Sequence, residues 1–185
     1  MRSRLATWKQ VAYHNLPRRH RFNAAIVHTN GRKMSSLNGS LYGWWSLKAS
    51  QGSKIGAQFQ IGKGGKIEQY VDTDFVVYHA YDASEYAVGI ETQDDVTAAH
   101  PVAGPWTNAQ LDSLVALLKE LRCPPRILGC HGMQDGIGYH QLCDAWNQHN
   151  HNCPGPIRSA QLRNIVLPAL TSERDDLGWL PILTM

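Results

Sequence analysis

The chain has 185 residues, enough for one domain with a core of its own. It is 43% hydrophobic and 18% charged, with no apolar run long enough for a membrane span, so stable membrane insertion is not expected. The formal net charge is +3, and basic residues gather early, in Arg18-Arg19-His20-Arg21 and Arg32-Lys33, without interleaved aromatics. That pattern argues against nucleic-acid binding and suits a solvated edge or attraction to an anionic polymer such as a cell wall.

Residues 1–22 read as an irregular N-terminal extension, in which Pro17 ends any early helix. Arg2 and Arg4 are not followed by the apolar core of a signal peptide, so the expectation is a protein made in the cytoplasm without an export signal of its own. Asn23–Thr29 is a short apolar run closed by Asn30-Gly31, the pattern of a buried central strand and a turn. Ser35 and Ser36 offer caps for a helix over Leu37–Ala49. Ile55–Ile61 and Lys66–Val71 flank Gly62-Lys63-Gly64-Gly65 and predict a hairpin.

Ala87–Thr92 is a further short buried strand ending in a carboxylate, Glu91. Thr107 caps a helix over Ala109–Leu121 with an apolar stripe of Leu111, Leu114, Leu118 and Leu121. Pro124-Pro125 stops it, and Arg126–Cys130 reads as a fifth strand. Ser159 caps a last helix over Ala160–Leu170, broken near Pro168, and the tail 171–185 is apolar enough to pack back on the body. Mixed strands with helices between them give an α/β or α+β single sheet, and the expectation adopted is an α/β domain with a central mixed sheet flanked by helices. Cys123, Cys130, Cys143 and Cys153 form no Cys-x-x-Cys pair, which argues against a zinc ribbon or redox dithiol; reduced thiols are expected.

The chemistry concentrates in His149-Asn150-His151-Asn152-Cys153-Pro154-Gly155-Pro156 and in His28 at the end of its strand. Imidazole nitrogens and a thiolate, gathered from distant parts of one chain, are the donor types of a mononuclear zinc site. Cys153 has polar neighbours and a backbone held by Pro and Gly, unlike an inert core cysteine. Both His140, after a glycine-flanked segment, and His131, after Ile127-Leu128-Gly129-Cys130, are candidates for the second histidine. An ionised Glu91 on an apolar strand needs a partner or a task, and beside a metal site that task is general-base catalysis. His151, two residues before Cys153, is a candidate to stabilise an oxyanion.

Seven segments, in this order, resemble the zinc N-acetylmuramoyl-L-alanine amidases. They are Ala25-Ile26-Val27-His28-Thr29, Ile55–Ile61, Gly65–Val71, Val77-Tyr78-His79-Ala80, Ala87–Glu91, Gly136-Ile137-Gly138-Tyr139-His140 and Asn152–Pro156. The family includes phage amidase-type lysozymes, bacterial muropeptide amidases and animal peptidoglycan recognition proteins, and the similarity is greatest to actinobacteriophage endolysin domains.

The resemblance implies a catalytic domain over 23–170 with a zinc cleft at one edge of the sheet. It implies one Zn2+ per chain on His28, His140 and Cys153, with Glu91 as general base and His79 lining the substrate groove. The reaction implied is hydrolysis of the amide between N-acetylmuramic acid and L-alanine of the stem peptide. Peptidoglycan or its muropeptides are the partner, the chain acts as a monomer, and it works at the bacterial cell wall, as in a phage endolysin. The alternatives are a non-catalytic peptidoglycan-binding module and an antibacterial amidase toxin. Two positions depart from the family: Ala57 stands where other branches carry a catalytic Tyr, and His151 where Lys or Thr is usual.

Overall fold

The computed structural model describes residues 1–19, 23–30, 40–94, 103–132, 134–147 and 151–172. Its centre is a six-stranded mixed sheet of β1 (Thr7–Trp8), β2 (Ala24–Thr29), β3 (Phe59–Ile61), β4 (Ile67–Gln69), β5 (Ala87–Thr92) and β6 (Gly136–Tyr139). The spatial order is β1-β4-β3-β5-β2-β6. All neighbours run parallel except the β3–β4 hairpin, which is antiparallel through Ile61 and Ile67. β2 and β5 are neighbouring interior strands, and the near-continuous burial of Ala24–His28 and Ala87–Ile90 is what parallel strands covered on both faces require.

Strand alternation assigns each side chain to a face. Ala25 and Val27 of β2 join Phe59, Ile61, Val88, Ile90 and Ile137 beneath α2 (Asn108–Glu120), which adds Leu111, Leu114, Leu117 and Leu118. Thr107 closes the start of α2 in a capping box with Gln110. The opposite face carries Ala24 and Ile26 under Tyr86, Leu128 and Trp146, and a separate cluster in which Trp45 and Ala49 of α1 (Tyr42–Ser50) meet Tyr70 and Val77. Toward the C-terminal ends of the strands this second face turns polar: His28, Glu91, Gln60 and Glu68 stand in register across β2, β5, β3 and β4.

Several expectations need correction. The irregular reading of residues 1–22 misses β1, which adds an edge strand beside β4. The α1 helix starts at Tyr42, later than expected; the Ser35–Ser36 cap falls outside the described residues. The first hairpin strand is Phe59–Ile61, and Ile55 contributes only a bridge to Tyr78. Arg126–Cys130 is not a strand but touches the sheet through a single bridge, Ile127 to Ile137. Its place is taken by β6, where Gly138 leaves room for Trp146 and Leu128 to close on the strand; a Cβ there would meet their side chains at 3.0 and 3.1 Å.

The last helix begins at Pro156, so Ser159 is inside it and donates its hydroxyl to the Gly155 carbonyl rather than capping. It runs through α3 (Pro156–Gln161), a π-turn over Leu162–Val166 and α4 (Leu167–Thr171). Pro168, which has no N–H to donate, explains the widened turn before it. Of the tail, residues 173–185 lie outside the described residues. Cys130 and Cys143 form a disulfide with Cα atoms 5.4 Å apart, against the expectation of reduced thiols, while Cys123 and Cys153 are free and buried.

Candidate metal centre

His28, Glu91 and His140 reach one place because the ends of β2, β5 and β6 are neighbours. His28 and Glu91 are direct register partners and so share a face. His140 follows the last residue of β6, on the other side of β2. Cys153 arrives from the turn before α3, where Gly155 adopts φ 92°, a backbone conformation natural to glycine, and the Cys153–Pro154 peptide is cis. The donor atoms of His28, His140 and Cys153 lie within 4.8 Å of one another, close enough to bind a metal ion. His131 is exposed and outside this group.

The surrounding contacts orient these donors. His140 Nε2 lies 2.9 Å from the Trp146 carbonyl. A carbonyl only accepts, so Nε2 carries the proton and the Nδ1 lone pair is left for another partner. The Thr29 backbone N–H donates to Cys153 Sγ at 3.2 Å, and His28 Nδ1 lies 3.7 Å from the same sulfur. On its far side His28 Nε2 is 3.0 Å from His79 Nδ1.

Burial dominates the electrostatics. It lowers the pKa of His28 well below the ordinary histidine value, with the neighbouring His79 and His140 adding to it. His79 is held down to about 3 by burial and then by the Arg19 cation. Burial also lowers His140, so all these rings are neutral and able to offer lone pairs. The Cys153 thiol is pushed up by burial and then by Glu91, and Glu91 is lifted to about 8 by burial and then by Asp94. A buried thiol beside a carboxylate is costly as a pair of anions, and a cation among the donors removes that cost.

Two further groups fit a site built for something outside the protein. Glu91 Oε2 and both amide atoms of Asn30, two residues beyond His28, are buried without a hydrogen-bond partner. Next along the polar row, Gln60 and Glu68 line a cleft of about 250 Å³ with Lys63, Lys66 and Gln93. Lys9 approaches Glu68 to 2.7 Å.

His151 is exposed, and its ring stacks on that of His140 with centroids 5.7 Å apart. Ala57 is fully buried. Sequence reading missed Arg158, whose buried guanidinium donates to the Gly104 and Gln93 carbonyls and to the hydroxyls of Thr29 and Thr92, tying the ends of β2 and β5 together. Nothing in its local sequence separates it from a surface arginine. His79 was expected along the groove; both its ring nitrogens are engaged inside the protein, Nδ1 with His28 and Nε2 with the Ala87 carbonyl.

Residues 7–156 match the N-acetylmuramoyl-L-alanine amidase family, and the chain belongs to it. No curated protein matches the chain by sequence. Among solved structures, the fold is similar to the N-acetylmuramoyl-L-alanine amidase LysC from Clostridium intestinale URNW. The identity is 17% and the TM-score 0.53, covering 85% of this chain and 95% of that one. It is similar also to AmpD, at 17% identity and TM-score 0.56, over 89% of this chain and 95% of that one. Peptidoglycan recognition protein-1 from Manduca sexta shares the fold at 14% identity and TM-score 0.59, over 86% of this chain and 90% of that one. Among the described residues, no helix is long and apolar enough to cross a membrane.

Proposed function

We propose that this chain is a zinc-dependent peptidoglycan amidase that hydrolyses the amide between N-acetylmuramic acid and L-alanine of the stem peptide. The observation that carries the reading is the gathering of His28, His140 and Cys153, donors of the type zinc prefers, beside a carboxylate with an unpartnered oxygen. Zinc held by those three residues would supply a Lewis acid for the scissile carbonyl and water with a pKa of about 7. Glu91, on the strand next to His28, is the general base that takes the proton of the attacking water and returns it to the departing alanine nitrogen. His151, stacked on His140, is the partner for charge developing on the carbonyl oxygen. Asn30, with an unpartnered amide, presents a donor and an acceptor suited to a peptide group of the substrate.

In this role the protein is a monomer, made in the cytoplasm and acting on the cell wall, and the setting we favour is a phage endolysin. The test is zinc content together with release of free stem peptide from purified muropeptides, for wild type, His140→Ala and His131→Ala. Loss of zinc and of cleavage in His140→Ala, with both retained in His131→Ala, is expected. Loss of zinc in His131→Ala alone would overturn the ligand assignment. Wall binding by a zinc-loaded wild type that releases no peptide would mark the chain as a recognition module instead.

A further inference from the structure

His79 makes two contacts whose proton logic reaches the metal centre. Its Nε2 is 3.0 Å from the Ala87 carbonyl, which also accepts from the half-buried Arg19 guanidinium. Because a carbonyl has no proton to give, His79 must carry its own on Nε2. Its Nδ1 is then an acceptor, and the atom facing it at 3.0 Å, His28 Nε2, must be the donor. With its proton on Nε2, His28 keeps a bare lone pair on Nδ1, the nitrogen 3.7 Å from Cys153 Sγ.

We propose that His79 is a positioning residue: together with the Ala87 carbonyl it fixes the proton of His28 on Nε2 and turns the His28 Nδ1 lone pair toward Cys153 and His140. The neighbouring donor is handled in a single step, since His140 Nε2 reaches the Trp146 carbonyl directly. For His28 the link takes two steps, since its Nε2 meets His79 Nδ1 and His79 Nε2 meets the Ala87 carbonyl. The strand beneath is shaped for it. A Cβ on Gly89 would sit 2.7 Å from the His79 ring, so the ring can lie on β5 only where the chain has a glycine. Groups that orient a ligand histidine in this way typically change metal affinity about 10–100-fold.

The metal side of this inference rests on the zinc reading; the tautomer side does not. In metal-free wild-type protein, long-range nitrogen–proton NMR of the histidine rings should find both His28 and His79 protonated on Nε2. His28 protonated on Nδ1 overturns the proposal, whatever the chain does with zinc. Zinc affinity, measured by competition with a chromophoric chelator, should fall about 10–100-fold in His79→Phe and in Gly89→Ala, which displaces the ring without altering its chemistry. His79→Asn, which keeps an acceptor near the Nδ1 position, should recover most of the loss. A folded His79→Phe chain that holds zinc as tightly as wild type overturns the relay. A wild type that takes no zinc removes the zinc reading, and the NMR spectrum still decides the tautomers.

Discussion

Glu91 is in register with His28, and burial with the nearby Asp94 lifts its carboxyl from 4.5 to about 8. In metal-free protein between those values, the folded chain holds a proton that the unfolded chain has released. The native state then binds more protons, so stability falls as pH rises through this window. Every tenfold difference in proton affinity between the two states corresponds to about 1.4 kcal/mol. Glu91→Gln, which cannot ionise, should therefore raise the melting temperature of metal-free protein at pH 8, by on the order of a few kcal/mol in stability, and leave it nearly unchanged near pH 4. Thermal melts across that range check this; an offset independent of pH would mean that Glu91 is already ionised when folded. Under the proposed function the same variant should retain zinc and lose roughly two to four powers of ten in turnover. His28, Glu91 and Cys153 were legible in the sequence because each is a polar residue set against a local pattern, two on apolar strands and one in a Pro-Gly turn. Arg158 and the partners of His79 were not, since only the folded chain brings Ala87, Thr29 and Thr92 to them.

At the scale of elements, the Cys130–Cys143 disulfide closes a loop that contains β6 and His140. Cross-links closing loops of about this length typically add about 3 kcal/mol by restricting the unfolded chain. Changing both cysteines to serine should lower stability by about 2–3 kcal/mol in denaturant melts. It should also weaken zinc binding, because the loop that presents His140 loses a tether at each end. Unchanged zinc affinity with reduced stability would confine the bridge to a structural role. The same region is where sequence patterning failed. Ile127-Leu128 has the apolar character of a strand, yet β6 forms from Gly136-Ile137-Gly138-Tyr139, whose glycines score poorly as strand residues. Those glycines are there for packing, since Trp146 and Leu128 occupy the space a side chain at Gly138 would need. By contrast α2, β2 and β5 were plain, because a capping box and continuous apolar runs are local signals.

For the whole molecule, the three candidate ligands come from the end of β2, the end of β6 and the turn before α3, at positions 28, 140 and 153. In the unfolded chain these donors are far apart, so zinc would bind the native state almost alone, and its binding free energy would add to folding stability. With free zinc at about 100 times its dissociation constant the gain is about 2.7 kcal/mol. For a domain of this size that is a rise of roughly 5–11 °C in melting temperature. Removal of zinc by a chelator should lower the melting temperature by such an amount, and restoring zinc should return it. His28→Ala and Cys153→Ser should melt at one temperature with or without zinc, whereas His131→Ala, changed at an exposed position outside the cluster, should respond as wild type does. Differential scanning calorimetry of the four proteins, each with chelator and with added zinc, makes the comparison. A zinc-dependent shift that persists in Cys153→Ser would mean that the ion sits elsewhere in the chain, and the reading of this cleft as the metal centre would have to be abandoned.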